Sequence, residues 1–381
     1  MRISLPYFIF DIFSVFFMAF LLTFLGKGGV GCTTVAIAAA QRLASQGKRV
    51  LFASQDASPA LGLTLGVTTG PDPTTIAPNL QVVQLQTTVL LERAWEDLKT
   101  LESRYLRTPF FKNVYGQELG VLAGMDSAMA LNALRQWDNA YDVIVYDSPS
   151  SPEILRMLGM PEIVSWYVRR FRQVFIDSDL GKTLSPFIPP VAAAVMNINI
   201  LADNFAQPTA DIDGLLNQGI HKLSDPNQTI AYLVTTGDPI SIATAQYLWG
   251  SAQQVGLNVG GVILNPVANP MVNPEISLDD EFNPLRITRL PQGSWDTIAA
   301  SLPDFTQSSN APRPVTINKA ARTVTLFLPS FDKKQVKLTQ YGPEITIEAG
   351  DQRRNVFLPA GLSGLPVAGA KFQDGCLIIS F

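Results

Sequence analysis

The strongest constraint on this chain is a glycine-rich nonapeptide, Gly26-Lys27-Gly28-Gly29-Val30-Gly31-Cys32-Thr33-Thr34. It fits the phosphate-loop pattern G-x-x-x-x-G-K-[ST] at Gly26, Gly31 and Thr33, with Cys32 in place of the lysine. Glycines there let successive backbone N–H groups turn inward on a phosphate, and the hydroxyl suits Mg²⁺. An apolar run, Ala19 to Leu25, leads in, and Thr33 to Gln46 has helical spacing ended near Gly47. Strand, glycine loop and helix N-terminus in that order make an anion site, because unsatisfied N–H groups and the helix dipole face the same point. The loop therefore predicts nucleotide binding more firmly than hydrolysis.

Short apolar runs alternate with helical patterns over the first 305 residues, the signature of an α/β, doubly wound, mostly parallel sheet. Predicted strands are Ala19 to Leu25, Arg49 to Ser54, Asp142 to Tyr146, Thr229 to Val234, Gly260 to Leu264 and Arg286 to Leu290. Asp56, Asp147, Thr235, Asn265 and Pro291 follow these strands, at the carboxyl ends where open α/β sheets bind ligands. Two helical insertions interrupt the sheet, at about 90–135 and 152–225. The second holds Met157, Met160, Trp166, Tyr167, Phe171, Phe175, Phe187, Ile188, Val195, Met196 and Ile198, readable as core or as a groove for an apolar helix or peptide.

Residues 306–314, with Pro312 and Pro314, read as a linker between a domain at 18–305 and a small all-β sandwich at 315–381. Strands are expected at Thr323 to Leu328, Gln335 to Gln340, Glu344 to Glu348, Asn355 to Leu358 and Cys376 to Phe381.

Asp56 lies where a carboxylate can orient an attacking water or hold Mg²⁺ through water, and equally where it could cap a helix. Asp147 closes Val143-Ile144-Val145-Tyr146-Asp147, apolar residues ending in an acid that fixes Mg²⁺ or its waters. Thr33 and Thr34 are expected at Mg²⁺ and the α-phosphate, and Asn265 can read an adenine edge with its paired donor and acceptor. A lysine ammonium about 4 Å from a phosphate oxygen interacts by roughly 4 kcal/mol at an effective dielectric near 20. If 2 to 4 kcal/mol of that is specific to the transition state, Cys32 slows chemistry by roughly 30- to 1000-fold. A thiol at a helix N-terminus also tends toward a lowered pKa, though bound phosphates would oppose a thiolate there; a tolerated loss of the lysine is the simpler account of Cys32, and a redox switch the alternative.

Composition narrows the partners. A net charge of −4 gives no basic footprint for nucleic acid. The two cysteines, Cys32 and Cys376, form no zinc-binding spacing and no disulfide framework, which suits a reducing, cytoplasmic compartment, and His221 is the one histidine. The apolar stretch Ile3 to Leu25 gives its last seven residues to the first strand, leaving too little for a spanning helix. Met18 is the expected start of the folded chain, with 1–17 an upstream misread; the alternative is a genuine hydrophobic extension that packs on the protein or a membrane, and membrane contact is at most peripheral.

With these residues in hand, the first 305 positions resemble the anion-transporting ATPase family, which joins arsenite-pump ATPases and tail-anchored-protein targeting factors. Gly26 to Thr34, including Gly28, Gly29 and Val30, looks like its deviant Walker A; the resemblance implies that Lys27 reaches the partner's ATP across a homodimer and acts in catalysis with Asp56. Asp56-Ala57-Ser58-Pro59-Ala60-Leu61 is similar to its switch I, with Pro59 in place of a histidine. Asp147-Ser148-Pro149-Ser150 resembles switch II, and Asn265 and Leu290-Pro291 resemble its adenine contacts. Arg354 to Pro359 and Phe372 to Leu377 resemble an α-crystallin (small heat-shock) domain. The implied function is an ATP- and Mg²⁺-binding targeting or chaperone-like protein that shelters an apolar polypeptide segment. Two alternatives stand: an active anion-transport ATPase, or a nucleotide-stabilised scaffold acting through the β-sandwich. The family's metalloid-binding cysteine cluster and zinc-binding C-x-x-C are both missing from this sequence.

Overall fold

A computed structural model describes residues 19–105, 111–149, 152–177, 210–265, 277–305 and 312–381. The expectations for residues 1–18, for Ser150, for Phe187 to Ile198 and for most of the linker fall outside these. Fifteen strands and ten helices are labelled in chain order among the described residues.

β1 (Phe20–Gly26) is apolar on both faces and lies at the centre of an eight-stranded sheet. The other strands are β2 (Val50–Ser54), β3 (Thr74–Ala77), β4 (Leu80–Gln84), β5 (Val143–Asp147), β6 (Thr229–Thr235), β7 (Val259–Leu264) and β8 (Ile287–Arg289). Their order is β3-β4-β2-β5-β1-β6-β7-β8, all parallel except the β3–β4 pair. Burial on both faces is what parallel strands require, and β2, β5 and β6 are buried at every position. Leu22 and Phe24 of β1 pack with α1 (Cys32–Ser45), while Leu21 and Leu25 join the core on the opposite face. Strands β2 and β5 leave β1 on one side and β6 on the other, so the carboxyl edge beside β1 is the switch point where a ligand crevice forms.

Short helix α2 (Ala60–Leu65) follows the loop after β2. The helical insertions contribute α3 (Thr87–Tyr105), α4 (Met125–Trp137), α5 (Glu153–Leu158), α6 (Met160–Asp177) and α7 (Ala210–Ser224). Then come α8 (Pro239–Gln254), α9 (Leu278–Glu281) and α10 (Trp295–Ser301). Asp238 caps α8, accepting from the N–H groups of Ile240 and Ser241 at 3.1 Å each.

The C-terminal unit is a β-sandwich of one four-stranded and one three-stranded antiparallel sheet. The first has β14 (Gly369–Gln373), β15 (Cys376–Ser380), β10 (Thr323–Phe327) and β9 (Val315–Asn318); the second has β11 (Val336–Tyr341), β12 (Glu344–Ala349) and β13 (Gln352–Phe357). Alternate residues such as Val324, Leu326, Ile345 and Ile347 turn inward and are almost fully buried. The sandwich docks on the helical side of the sheet. Trp249 of α8 meets Phe327 edge to face at 5.6 Å, and Glu344 accepts from Trp166 and Arg169 of α6 at 3.1 and 2.7 Å. Arg354 reaches the Gln253 carbonyl at 3.1 Å and pairs with Glu162 at 3.5 Å, and Arg156 of α5 pairs with Asp351.

Four strands were not foreseen from the sequence: β3, β4, β9 and β14. All but β4 lie at sheet edges, and their residues are mostly exposed or half-buried, so the apolar alternation that marks a strand is weak.

Candidate functional site: a phosphate loop without its lysine

The loop between β1 and α1 bends through left-handed backbone at Gly29 (φ 87°) and Gly31 (φ 92°). At Gly31 a β-carbon would also collide with the Asn265 amide, whose Nδ2 donates to the Val30 carbonyl at 2.9 Å. Asn265 is thus a clamp on the loop backbone, one of its donors spent there, with the rest of the amide beside the crevice. Nothing crowds Gly28 or Gly29, and the loop's outer side is open. Lys27 is exposed, and among the described residues its ammonium meets the Gly28 carbonyl at 3.4 Å. Pro291 follows β8 and is half-buried, one strand over from Asn265.

Thr33 and Asp147 face one another under the loop. The Thr33 hydroxyl donates to Asp147 Oδ1 at 3.0 Å, and the Ser54 hydroxyl donates to Oδ2 at 3.0 Å. Ser54 also accepts from the Asp56 N–H at 3.3 Å, so the first turn of α1 and the ends of β2 and β5 share one hydrogen-bond chain. Asp147 is 7% exposed, and burial, with the Asp56 charge nearby, pushes its carboxyl up to about 6 despite the two hydroxyl donors. Ser148, the next residue, keeps its hydroxyl buried without a partner.

The Asp56 carboxylate turns back on its own loop, accepting from the Ser58 N–H at 2.8 Å and the Ser58 hydroxyl at 2.9 Å. The helix-cap alternative is not what forms: α2 starts after Pro59 with no side-chain cap. The loop is held from below by Gln84 at the end of β4, a residue sequence reasoning missed. Its amide donates to the carbonyls of Asp56 and Ser58 at 3.0 and 2.9 Å and accepts from the Thr69 hydroxyl at 2.9 Å. The signal was present: a polar residue closing Leu80-Gln81-Val82-Val83-Gln84 at a strand's carboxyl end.

Cys32 requires a correction. Its sulfur is enclosed by the loop, so near Gly26 that a β-carbon there would sit 2.9 Å away, and burial followed by the Asp147 charge pushes the thiol up to about 12. The helix N-terminus predicted a lowered pKa; desolvation and a neighbouring carboxylate outweigh it. The basis for a thiolate switch at this position is lost.

The donor set suits a magnesium-bound phosphate group. An uncrowded glycine loop at a helix N-terminus offers N–H groups, Thr33 offers a hydroxyl oxygen, and the desolvated Asp147 carboxylate would be relieved by a cation. Thr34, half-buried on the first turn of α1, lies on the same rim.

Sheet order, loop and acid together define a phosphate-loop α/β protein carrying a β-sandwich. The chain belongs to the anion-transporting ATPase family, whose model matches residues 19–277; residues 319–381 match the HSP20-like domain found in ArsA. It is 25% identical over 398 residues to the "Putative arsenical pump-driving ATPase" of Chlorobaculum tepidum, covering 95% of each chain. It is 29% identical over 143 residues to "ATPase ASNA1 homolog 1" of Paramecium tetraurelia, 36% of this chain and 43% of that one. Among the described residues no helix is long and apolar enough to cross a membrane.

Proposed function

We propose that this is an ATP-binding, homodimeric member of the family whose nucleotide state positions helices that shelter an apolar polypeptide segment, with hydrolysis slow or lost. The observation that carries the reading is the Thr33–Asp147–Ser54 network beneath an open glycine loop whose lysine position holds an enclosed, neutral thiol. Backbone N–H groups from Gly28 to Thr33 would surround the phosphates. Thr33 would ligate Mg²⁺ and Asp147 would hold its waters, with Asn265 and Pro291 beside the base. Bound Mg²⁺ supplies charge neutralisation at the β- and γ-phosphates.

Lys27 has no ion-pair partner among the described residues and is free to reach a second subunit. Asp56 must release Ser58 before it can orient a water, so its catalytic role belongs to a nucleotide-bound arrangement. Exposed apolar side chains at Tyr115, Leu122 and Tyr167, all in the helical insertions, favour an apolar client.

Titration with a fluorescent ATP analogue, with and without Mg²⁺, tests the reading alongside sedimentation. The expected result is Mg²⁺-dependent binding that drives dimerisation, with turnover far below that of lysine-bearing relatives. Binding indifferent to Mg²⁺, or a monomer at saturating ATP, would sink it. The bacterial relatives described as arsenical pump-driving ATPases favour a second reading, oxyanion-driven hydrolysis. Cys32 is enclosed and Cys376 lies in the sandwich, so no thiol cluster is available in this sequence, and arsenite is expected to leave turnover unchanged.

A further inference from the structure

At the edge of the main sheet opposite the phosphate loop, the two helical insertions line a half-open cavity of about 200 Å³. Its walls are α4, α6 and α7, and its floor is made by Leu21, Ile144 and Thr229 at the starting ends of β1, β5 and β6. Leucine, methionine, proline, valine and alanine side chains form most of the lining.

Three polar side chains of the lining, Lys222, Asp138 and Thr229, lie where β1 begins. Lys222 pairs with Asp138 and donates to the Ala19 carbonyl at 3.0 Å, while the Asp138 carbonyl accepts from the Ala19 N–H at 2.8 Å. Thr229, in register with Leu21, is fully buried, and its hydroxyl has no hydrogen-bond partner. Arg135 also lines the cavity, so the three charged side chains of the lining, Arg135, Asp138 and Lys222, sum to one positive charge. Burial pushes the Lys222 ammonium below its ordinary range even with Asp138 beside it, a desolvated cation that a second anion would relieve. An orphan hydroxyl and a desolvated cation lining the same apolar cavity make an arrangement that can read a head group and bury a tail.

We propose that this cavity is a binding site for a small amphiphile with a single unbranched apolar tail and one anionic head, the tail lying between α4, α6 and α7 and the head meeting Thr229 and Lys222. The site is separate from the phosphate loop and does not depend on the nucleotide reading.

Isothermal titration of the full chain with octanoate, 1-octanol and octylamine is the test. Saturable octanoate binding is expected, about tenfold or more tighter than 1-octanol because a charged head adds a charge-assisted hydrogen bond, with octylamine weakest. Ala128→Phe and Val164→Phe, which fill the cavity from α4 and α6 independently, should each abolish binding while keeping the near-ultraviolet circular dichroism of the parent. Thr229→Val, nearly isosteric, should weaken octanoate about threefold or more and leave 1-octanol less affected. Absence of octanoate binding, 1-octanol binding as tightly as octanoate, or full binding in a folded cavity-filled variant would each overturn the proposal.

Discussion

Thr33 and Asp147, 114 positions apart in sequence, are joined by a 3.0 Å hydrogen bond from the threonine hydroxyl to Asp147 Oδ1. The bond ties the first turn of α1 to the end of β5, and Ser54 ties the same carboxylate to β2. Two strands and the first turn of α1 therefore report to one buried acid at the place where phosphate charge would arrive. Because Asp147 leads through Ser148 toward α5 and α6, a change at the acid has a short path to the helices that carry the sandwich.

Asp147→Asn should stabilise the ligand-free protein above neutral pH. The folded-state pKa is raised from 3.8 to about 6, so the native form binds this proton more tightly than the unfolded chain does. Relative to a neutral side chain Asp147 therefore costs little at low pH, and the cost grows as pH rises through about 4 to 6 and reaches about 3 kcal/mol at pH 8. Thermal unfolding at pH 4 and pH 8 should show a gain for the variant only at the higher pH. The same variant should lose stabilisation by Mg²⁺ and ATP, since the cation has lost its carboxylate.

Gln84 is expected to set the order of the loop that carries Asp56. Gln84→Ala leaves two carbonyls and the Thr69 hydroxyl without their partner, at a cost of about 2 kcal/mol, and Gln84→Glu should cost more because a carboxylate would face both carbonyls. Hydrogen exchange should quicken at residues 56–60 in both variants while the core strands stay protected. Unchanged exchange there would show that the loop is held by something else.

How much of this was readable beforehand depends on the physical range of each signal. The glycine loop, β1, β2 and β5 to β7 announce themselves through local composition, because a strand buried on both faces is apolar along most of its length. Asp147 was visible as the acid closing such a run. The β3–β4 hairpin was not: Thr74 to Ala77 is short and partly exposed, and Pro71, Pro73 and Pro78 dominate the local pattern. Gln84 was lost with it, and so was the physical support of Asp56. Cys32 failed for a different reason. Its sequence neighbours place it at a helix N-terminus, but its pKa is set by the loop folding over it and by Asp147 from 115 positions away, which no local window contains. The docking of sandwich on helices is also non-local; nothing near Arg354 in sequence names Glu162 or Gln253.

That docking gives a third expectation. Arg354 is 11% exposed at its side chain and joins β13 to both α6 and the end of α8. Arg354→Met keeps most of the apolar stem but leaves Glu162 and the Gln253 carbonyl facing it unpaired, a loss of about 3 kcal/mol. The sandwich has its own core, so unfolding should split into two transitions in calorimetry rather than shift as one. A single cooperative transition with an unchanged midpoint would mean that the apolar contact of Trp249 with Phe327 suffices.

Restoring the lysine is the sharpest test of the phosphate loop. In Cys32→Lys an ammonium enters a space now holding a thiol pushed up to about 12, enclosed beside Gly26 and Val30 with Asp147 as its nearest charge. Without nucleotide this is a desolvated cation, so the variant should be less stable than the parent. With nucleotide, the phosphates supply the missing counter-charge, and stability should recover more steeply with ATP concentration than in the parent. If transition-state contact with the lysine is what the cysteine lacks, single-turnover hydrolysis should rise by roughly 30- to 1000-fold. A variant that binds ATP tightly and still turns over no faster would place the block elsewhere. The first suspect is then Asp56, whose carboxylate is engaged by Ser58, and Ser58→Ala in the Cys32→Lys background should release it and raise the rate.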